Sequence, residues 1–160
     1  PDKDLTQMVH GDRVTCLDRR RGILLDEKGV EAKFGISPAS IPDYLALVGD
    51  KADGIPGIPR WGAKSTAQVL KRYVHLEDIP VESSYWDILP RGAEKMALTL
   101  KKGREEAFLY RSLTTLRTDV PLSEHLEDLL WRGAYRETYT ELCGQLDFGR
   151  LAEAPHVWRD

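Results

Sequence analysis

Four aspartates fall in two close pairs. Asp2 and Asp4 are two residues apart, and Asp50 and Asp53 are three apart. Carboxylates so spaced can share a divalent cation, because Mg2+ takes hard oxygen ligands and leaves much of its shell to water and phosphate oxygens. Just past the second pair the chain reads GIPGIPRWGAKSTAQVL, from Gly54 to Leu70. Gly57, Pro59 and Gly62 punctuate a hairpin there, and Lys64, Ser65 and Thr66 open the segment that follows. The first N–H groups of a helix have no partner within it, so a helix starting at this point offers a cradle for an anion. Lys64 adds a point charge suited to phosphate. Gly57 and Gly62 let the backbone approach a ligand with no Cβ in the way. A cation-holding acid pair beside a phosphate cradle is equipment for acting on a nucleic-acid backbone. Each part also has a plainer reading. The hairpin can be a turn between packed helices with two solvated acids, and Asp4 can be the N-cap of a short helix over Leu5–Val9.

The acids need rigid neighbours to act together. Side chains at i and i+2 of an extended segment point the same way, which would pair Asp2 with Asp4. Ser37 to Val48 reads as a helix, with Ser40 as N-cap, Pro42 in the first turn and an apolar face of Tyr44, Leu45, Leu47 and Val48. Gly49 ends it, so Asp50 and Asp53 sit on a loop held by an apolar helix. Ala63 to Tyr73 forms the helix after the hairpin. Earlier, Val14–Leu17 and Gly22–Leu25 read as a β-hairpin whose tip carries Arg19, Arg20 and Arg21. A short helix over Val30–Phe34 ends at Gly35 as a C-cap. Downstream come a short element at Leu76–Ile79, a loop from Pro80 to Pro90 carrying Tyr85 and Trp86, and helices over Ala93–Leu100 and Glu105–Leu116 split by Gly103. Leu126–Trp131 is apolar without a clear period, and Tyr135–Leu146 is a final helix. The fold class that follows is mainly α with a small β-hairpin near its start.

Bulk properties narrow the class. The chain has 160 residues, of which 41% are hydrophobic and 31% charged, enough for one domain with a core. No apolar run reaches membrane-spanning length, and no secretory leader is visible. Cys16 and Cys143 stand far apart, which excludes a disulfide scaffold and a zinc-ribbon spacing and suits a reduced, intracellular protein. The four histidines show no ligand spacing. The net charge of −3 is not the bulk signature of a nucleic-acid binder. The basic residues are clustered, however: Arg60, Lys64, Lys71 and Arg72 lie along the hairpin and the helix after it. The sequence opens at Pro1 without methionine, inside what reads as a motif, so an N-terminal portion is expected upstream.

Four stretches, taken in order, resemble one family. They are DKDLTQ at Asp2–Gln7, KFGISPASIPDYLALVGDKADGIPG at Lys33–Gly57, GIPRWGAKSTAQVL at Gly57–Leu70 and LRTDVPL at Leu116–Leu122. Together they resemble the 5′-nucleases: the 5′→3′ exonuclease domain of bacterial DNA polymerase I, its stand-alone bacterial and phage relatives, and the flap endonucleases. The resemblance implies a helix-hairpin-helix at about residues 41–73. Residues 1–28 would be the end of an α/β nuclease core and residues 29–160 a helical C-terminal subdomain. It implies that Asp2, Asp4, Asp50 and Asp53 build the second site of a two-metal centre using Mg2+ or Mn2+. It further implies that Gly57, Arg60, Gly62, Lys64 and Ser65 grip duplex DNA near a 5′ end, flap or junction, with a monovalent cation such as K+ at the hairpin. A monomeric, cytoplasmic, nucleoid-associated protein with no membrane partner goes with it.

The chain departs from the family pattern at the hairpin. Arg60 stands where glycine is usual, and Trp61 where a smaller aliphatic is usual. An arginine at a positive-φ position is strained, while Trp61 is expected to plug the core. Lys51 and Gly54 flank the acids where small polar residues are common, and Lys51 is expected to weaken Mg2+ occupancy. The family's first metal site lies upstream of Asp2, so this stretch alone is expected to be incomplete for catalysis. The rival readings are a non-catalytic helix-hairpin-helix module that binds DNA, and a helical interaction lobe with no nucleic-acid role.

Overall fold

The computed structural model describes residues 2–159. It divides into two compact units, the first running to Thr118 and the second from Asp119 onward. The expected mainly helical architecture with one small antiparallel hairpin is what the first unit shows.

The first unit opens with a 3₁₀ turn over Asp4–Met8. Strands β1 (Cys16–Asp18) and β2 (Ile23–Leu25) then pair antiparallel, with Leu17 opposite Leu24. Helix α1 covers Glu27–Phe34 and starts earlier than its apolar pattern suggests. The reason is Asp26, whose carboxylate accepts a 2.8 Å hydrogen bond from Gly29 N and caps the first turn. Gly35 ends α1 in the left-handed conformation, as expected. Helix α2 (Ile41–Val48) follows a 3₁₀ turn at Pro38–Ser40. Ser40 is not its side-chain cap: the hydroxyl makes no capping bond and lies 3.5 Å from that of Ser37. Helix α3 spans Ala63–Tyr73, the bounds read from the sequence. Helices α4 (Ala93–Lys102) and α5 (Arg104–Thr114) meet at Gly103.

Val30, Ile36, Ile41, Leu45, Leu47, Val69, Leu70, Leu76, Ile79 and Met96 form the driest part of the core. Helix α2 lies at its centre, against α3 on one side and α5 on another. Trp61 is buried as expected; its indole N–H donates to the Met96 carbonyl at 3.1 Å, and its ring lies 6.0 Å from that of Trp86.

Asp43 is the polar centre of this packing. It is 1% exposed, in the first turn of α2. Its Oδ1 accepts from Leu76 N at 3.2 Å and from Arg111 Nη1 at 3.3 Å, and its Oδ2 lies 3.0 Å from His75 Nδ1. Three segments are thereby tied to one carboxylate. Nothing in the apolar pattern of α2 marks Asp43 as more than an exposed helical acid.

The second unit contains helix α6 (Arg136–Gln145), 3₁₀ turns at Leu126–Leu129 and Gly149–Leu151, and a two-residue parallel pairing of β3 (Ala134–Tyr135) with β4 (Trp158–Arg159). Arg136 stacks on Trp158 and Arg159 on Tyr135. Of the apolar stretch Leu126–Trp131, only Leu126–Leu129 becomes a 3₁₀ turn, where His125 and Asp128 cap each other's backbone. Among the described residues no helix is long and apolar enough to cross a membrane.

Removing the Asp43 carboxylate strands His75 and the Leu76 N–H and leaves Arg111 with Glu77 as its carboxylate partner. Asp43→Ala is expected to lower the unfolding free energy by about 3 kcal/mol, the low end of the range for a broken buried ion pair, because Arg111 keeps Glu77 and His75 is partly solvated. A urea midpoint measurement checks it.

Candidate metal centre and nucleic-acid interface

The loop that carries Asp50 and Asp53 is closed by its own backbone. Asp50 N donates to Ile55 O and Ile55 N to Asp50 O, both at 2.8 Å. Asp50 Oδ1 also accepts from Ala52 N at 3.1 Å, which fixes the carboxylate. Below this closure Ile58 N donates to Leu47 O at 2.8 Å. Gly49 and Gly57 both have positive φ, 86° and 75°. A Cβ on Gly57 would lie 2.5 Å from Gly49 N, and one on Gly49 would lie 2.7 Å from the Pro56 carbonyl oxygen. The glycine at 57 is therefore required by the hairpin's own backbone. At Gly62 a Cβ would meet open space, and the surface there is exposed.

The 3₁₀ turn at Asp4–Met8 brings the first acid pair to this loop. Carboxylate oxygens of Asp4, Asp50 and Asp53 lie within 4.8 Å of one another. Asp2 stays outside that trio; it is exposed, and its Oδ1 accepts from Asp4 N at 3.2 Å. Asp4 thus opens the turn and does not cap it. Its Oδ1 is buried without a hydrogen-bond partner among the described residues. A carboxylate oxygen in that state is costly unless something cationic meets it.

The sequence reading missed Lys3. Its ammonium lies 2.5 Å from Asp50 Oδ2, where Asp50 is 3% exposed in its side chain. An alternating chain would turn Lys3 away from its flanking aspartates, but the backbone is already helical at Lys3 and the side chain swings into the cluster. Lys51, the lysine expected to compete with a cation, is instead exposed with no ion pair among the described residues.

The electrostatics follow this placement. Lys3 holds the Asp50 carboxyl below the usual range, and Asp50 raises Lys3 in return. Burial raises Asp4, helped by the charges of Asp2, Asp53 and Asp50. Hydrogen bonding to Asp50 raises Asp53. The cluster is short of positive charge even with Lys3 in it.

The second feature is the start of α3. Gly62 precedes it with no side-chain cap, so the N–H groups of the first turn face outward. Ser65 donates its hydroxyl back to Gly62 O at 3.2 Å, and Lys64 is exposed beside it. Arg60 is exposed at φ 76°, so the positive-φ position inferred for this arginine is real.

Residues 36–137 match the family model described as 5′–3′ exonuclease, C-terminal SAM fold. The chain belongs to the 5′–3′ exonuclease family. DNA polymerase I of Pseudomonas aeruginosa is 36% identical over 155 residues, which is 92% of this chain and 16% of that protein. The 5′–3′ exonuclease of Aquifex aeolicus is 36% identical over 129 residues, 81% of this chain and 41% of that protein. The 5′–3′ exonuclease of Buchnera aphidicola from Acyrthosiphon pisum is 29% identical over 130 residues, 81% of this chain and 45% of that protein. The chain therefore spans less than half the length of these relatives. The resemblance read from the four sequence motifs is borne out.

The left-handed backbone at Arg60 costs up to about 1–2 kcal/mol for a residue with a Cβ, partly offset by the greater unfolded-state freedom of glycine. Arg60→Gly is expected to stabilise the protein by up to about 1 kcal/mol, read as a higher denaturant midpoint.

Proposed function

We propose that this chain is the DNA-gripping part, with one of the two metal sites, of a divalent-metal-dependent 5′→3′ nuclease that cuts DNA near a 5′ end, flap or junction. The observation that carries the reading is the meeting of Asp4, Asp50 and Asp53 within 4.8 Å, from segments distant in sequence. The donor set suits the ion. Oxygens on opposite sides of an Mg2+ or Mn2+ shell are about 4.2 Å apart, from bonds of about 2.1 Å. The unpartnered Asp4 Oδ1 is an oxygen in want of a cation. Asp4, Asp50 and Asp53 would hold the ion, with Asp2 adding charge at the edge. Bound there, a divalent cation supplies charge stabilisation for the oxygens of a phosphodiester undergoing displacement.

The chain's own residues do the rest. The closed Asp50–Ile55 loop keeps the Asp50 carboxylate in place before any ion arrives, which lowers the ordering cost of binding. The free N–H groups at the start of α3, with Lys64 and Ser65, hold a phosphate of the duplex backbone without reading its sequence. Arg60 adds a guanidinium next to them. One short segment thus fixes the distance between the gripped phosphate and the acid cluster. Cleavage itself is assigned to the longer protein, in which a second cluster of metal ligands completes the centre.

A Mn2+ titration of the 160-residue chain, followed by the loss of free-Mn2+ electron paramagnetic resonance signal, tests the reading. Asp50→Asn is expected to lower Mn2+ affinity by at least about tenfold. Lys3→Met is expected to raise it at least about fivefold, since a cation entering beside the Lys3 ammonium meets repulsion on the order of 1 kcal/mol or more. Affinity should also fall as pH drops, beginning above the ordinary carboxylate value of about 3.9, because Asp4 and Asp53 hold protons more tightly than usual and must lose them to bind metal. A non-catalytic DNA-binding module would bind duplex DNA but show Mn2+ affinity indifferent to Asp50.

A further inference from the structure

Three consecutive arginines, Arg19, Arg20 and Arg21, occupy the connection between β1 and β2, and all are exposed. The turn's shape is maintained without their side chains. Asp18 Oδ1 accepts from Arg20 N at 3.1 Å and from Arg21 N at 3.2 Å, and Gly22 completes the turn at φ 66°. Asp18 is thus spent on the backbone, and its other oxygen lies 4.0 Å from Arg21 Nε, at the edge of ion-pair range. Arg19 and Arg20 form no ion pair among the described residues.

Two other arginines of this chain do find carboxylates. Arg72 pairs with Asp87, and Arg111 pairs with Asp43 and Glu77. With 26 acidic residues against 23 lysines and arginines, carboxylates are not scarce. Three guanidinium groups on successive residues repel one another, and this tip leaves that repulsion largely uncompensated. The matching ligand is a polyanion with repeated, closely spaced charges. Guanidinium forks fit phosphate oxygens bidentately, and a duplex backbone offers such oxygens at every step.

The tip is also held at a fixed reach from α3. Strand β2 leads through the Asp26 cap into α1, and the C-cap of α1, Gly35, packs on Ala67 of α3 so closely that a Cβ there would lie 3.3 Å from the alanine methyl. Three strand residues span about 10 Å and eight helical residues about 12 Å. Together with the turn, this places the tip within about 30 Å of α3. One turn of B-DNA is about 34 Å. That separation is no longer than one turn of a duplex.

We propose that the Arg19–Arg21 tip is a second phosphate-binding site, which grips the backbone of the duplex held at the start of α3. The proposal rests on the DNA-binding reading above. It adds contacts outside the helix-hairpin-helix and makes the hairpin a clamp on a different stretch of the same duplex.

Fluorescence anisotropy with a mixed-sequence duplex of about three helical turns, at about 50–200 mM NaCl, tests it. Each phosphate contact contributes about 0.9 to the slope of log affinity against log salt. R19Q/R20Q/R21Q is expected to flatten the slope by about 2–3 and to weaken binding at about 100 mM salt at least tenfold. The single variants R19Q and R20Q each flatten it by about 0.9, so the test does not depend on the triple variant folding. R19K/R20K/R21K keeps most of the slope, because charge is retained. A salt-sensitive wild type whose slope is unchanged in R19Q and R20Q overturns the tip and leaves the α3 site standing. A wild type that binds no duplex at any of these salt concentrations overturns the DNA-binding reading itself, and the tip with it.

Discussion

The hairpin between α2 and α3 depends on one backbone crossing. Gly49 and Gly57 pass so close that a side chain on either would drive a Cβ to within 2.7 Å or less of main-chain atoms. Both occupy positive φ, where a Cβ also costs backbone strain. This crossing sends the chain outward as the closed Asp50–Ile55 loop and returns it through Ile58 to the start of α3. Asp50 and Asp53 lie in the loop that follows Gly49, and α3 begins shortly after Gly57. A change in the crossing would move one relative to the other, which is why glycine here is a constraint on geometry and not only on stability.

Charge is distributed according to a second constraint. Three carboxylates that approach within 4.8 Å repel one another unless a cation neutralises them. The fold meets part of that requirement from within, through Lys3 against the nearly buried Asp50. Asp4 and Asp53 remain raised, so the neutralisation is incomplete. A cluster in this state keeps an unmet demand for positive charge. The buried Asp43, by contrast, has His75, Arg111 and a backbone donor around it, and its place is structural. Two buried aspartates in neighbouring turns of the chain therefore differ in use because they differ in partners.

Much of this was legible in the sequence. The end of α1 at Gly35, the bounds of α3, the break at Gly103 and the β-hairpin followed from local rules of capping, turn chemistry and apolar period. The burial of Trp61 and the positive φ of Arg60 followed from the resemblance and from backbone sterics. What could not be read depended on contacts between distant segments. Lys3 turns into the acid cluster only because a 3₁₀ turn replaces the extended backbone assumed there. Asp43 gathers partners from two later segments that no local pattern links to α2. The crowding at Gly57 could not be read either, because the backbone it crosses, at Val48 and Gly49, comes close only in the folded hairpin. The two-residue pairing of Ala134–Tyr135 with Trp158–Arg159 left no period to detect.

The central claim is that Asp4, Asp50 and Asp53 form a cation site kept in place by the hairpin. The most direct measurement is an anomalous difference map from crystals of the 160-residue chain soaked in Mn2+. The account predicts a peak bounded by these three carboxylates, with the Lys3 ammonium displaced from Asp50 Oδ2. A map with no peak there, and with Lys3 still 2.5 Å from Asp50, would contradict it.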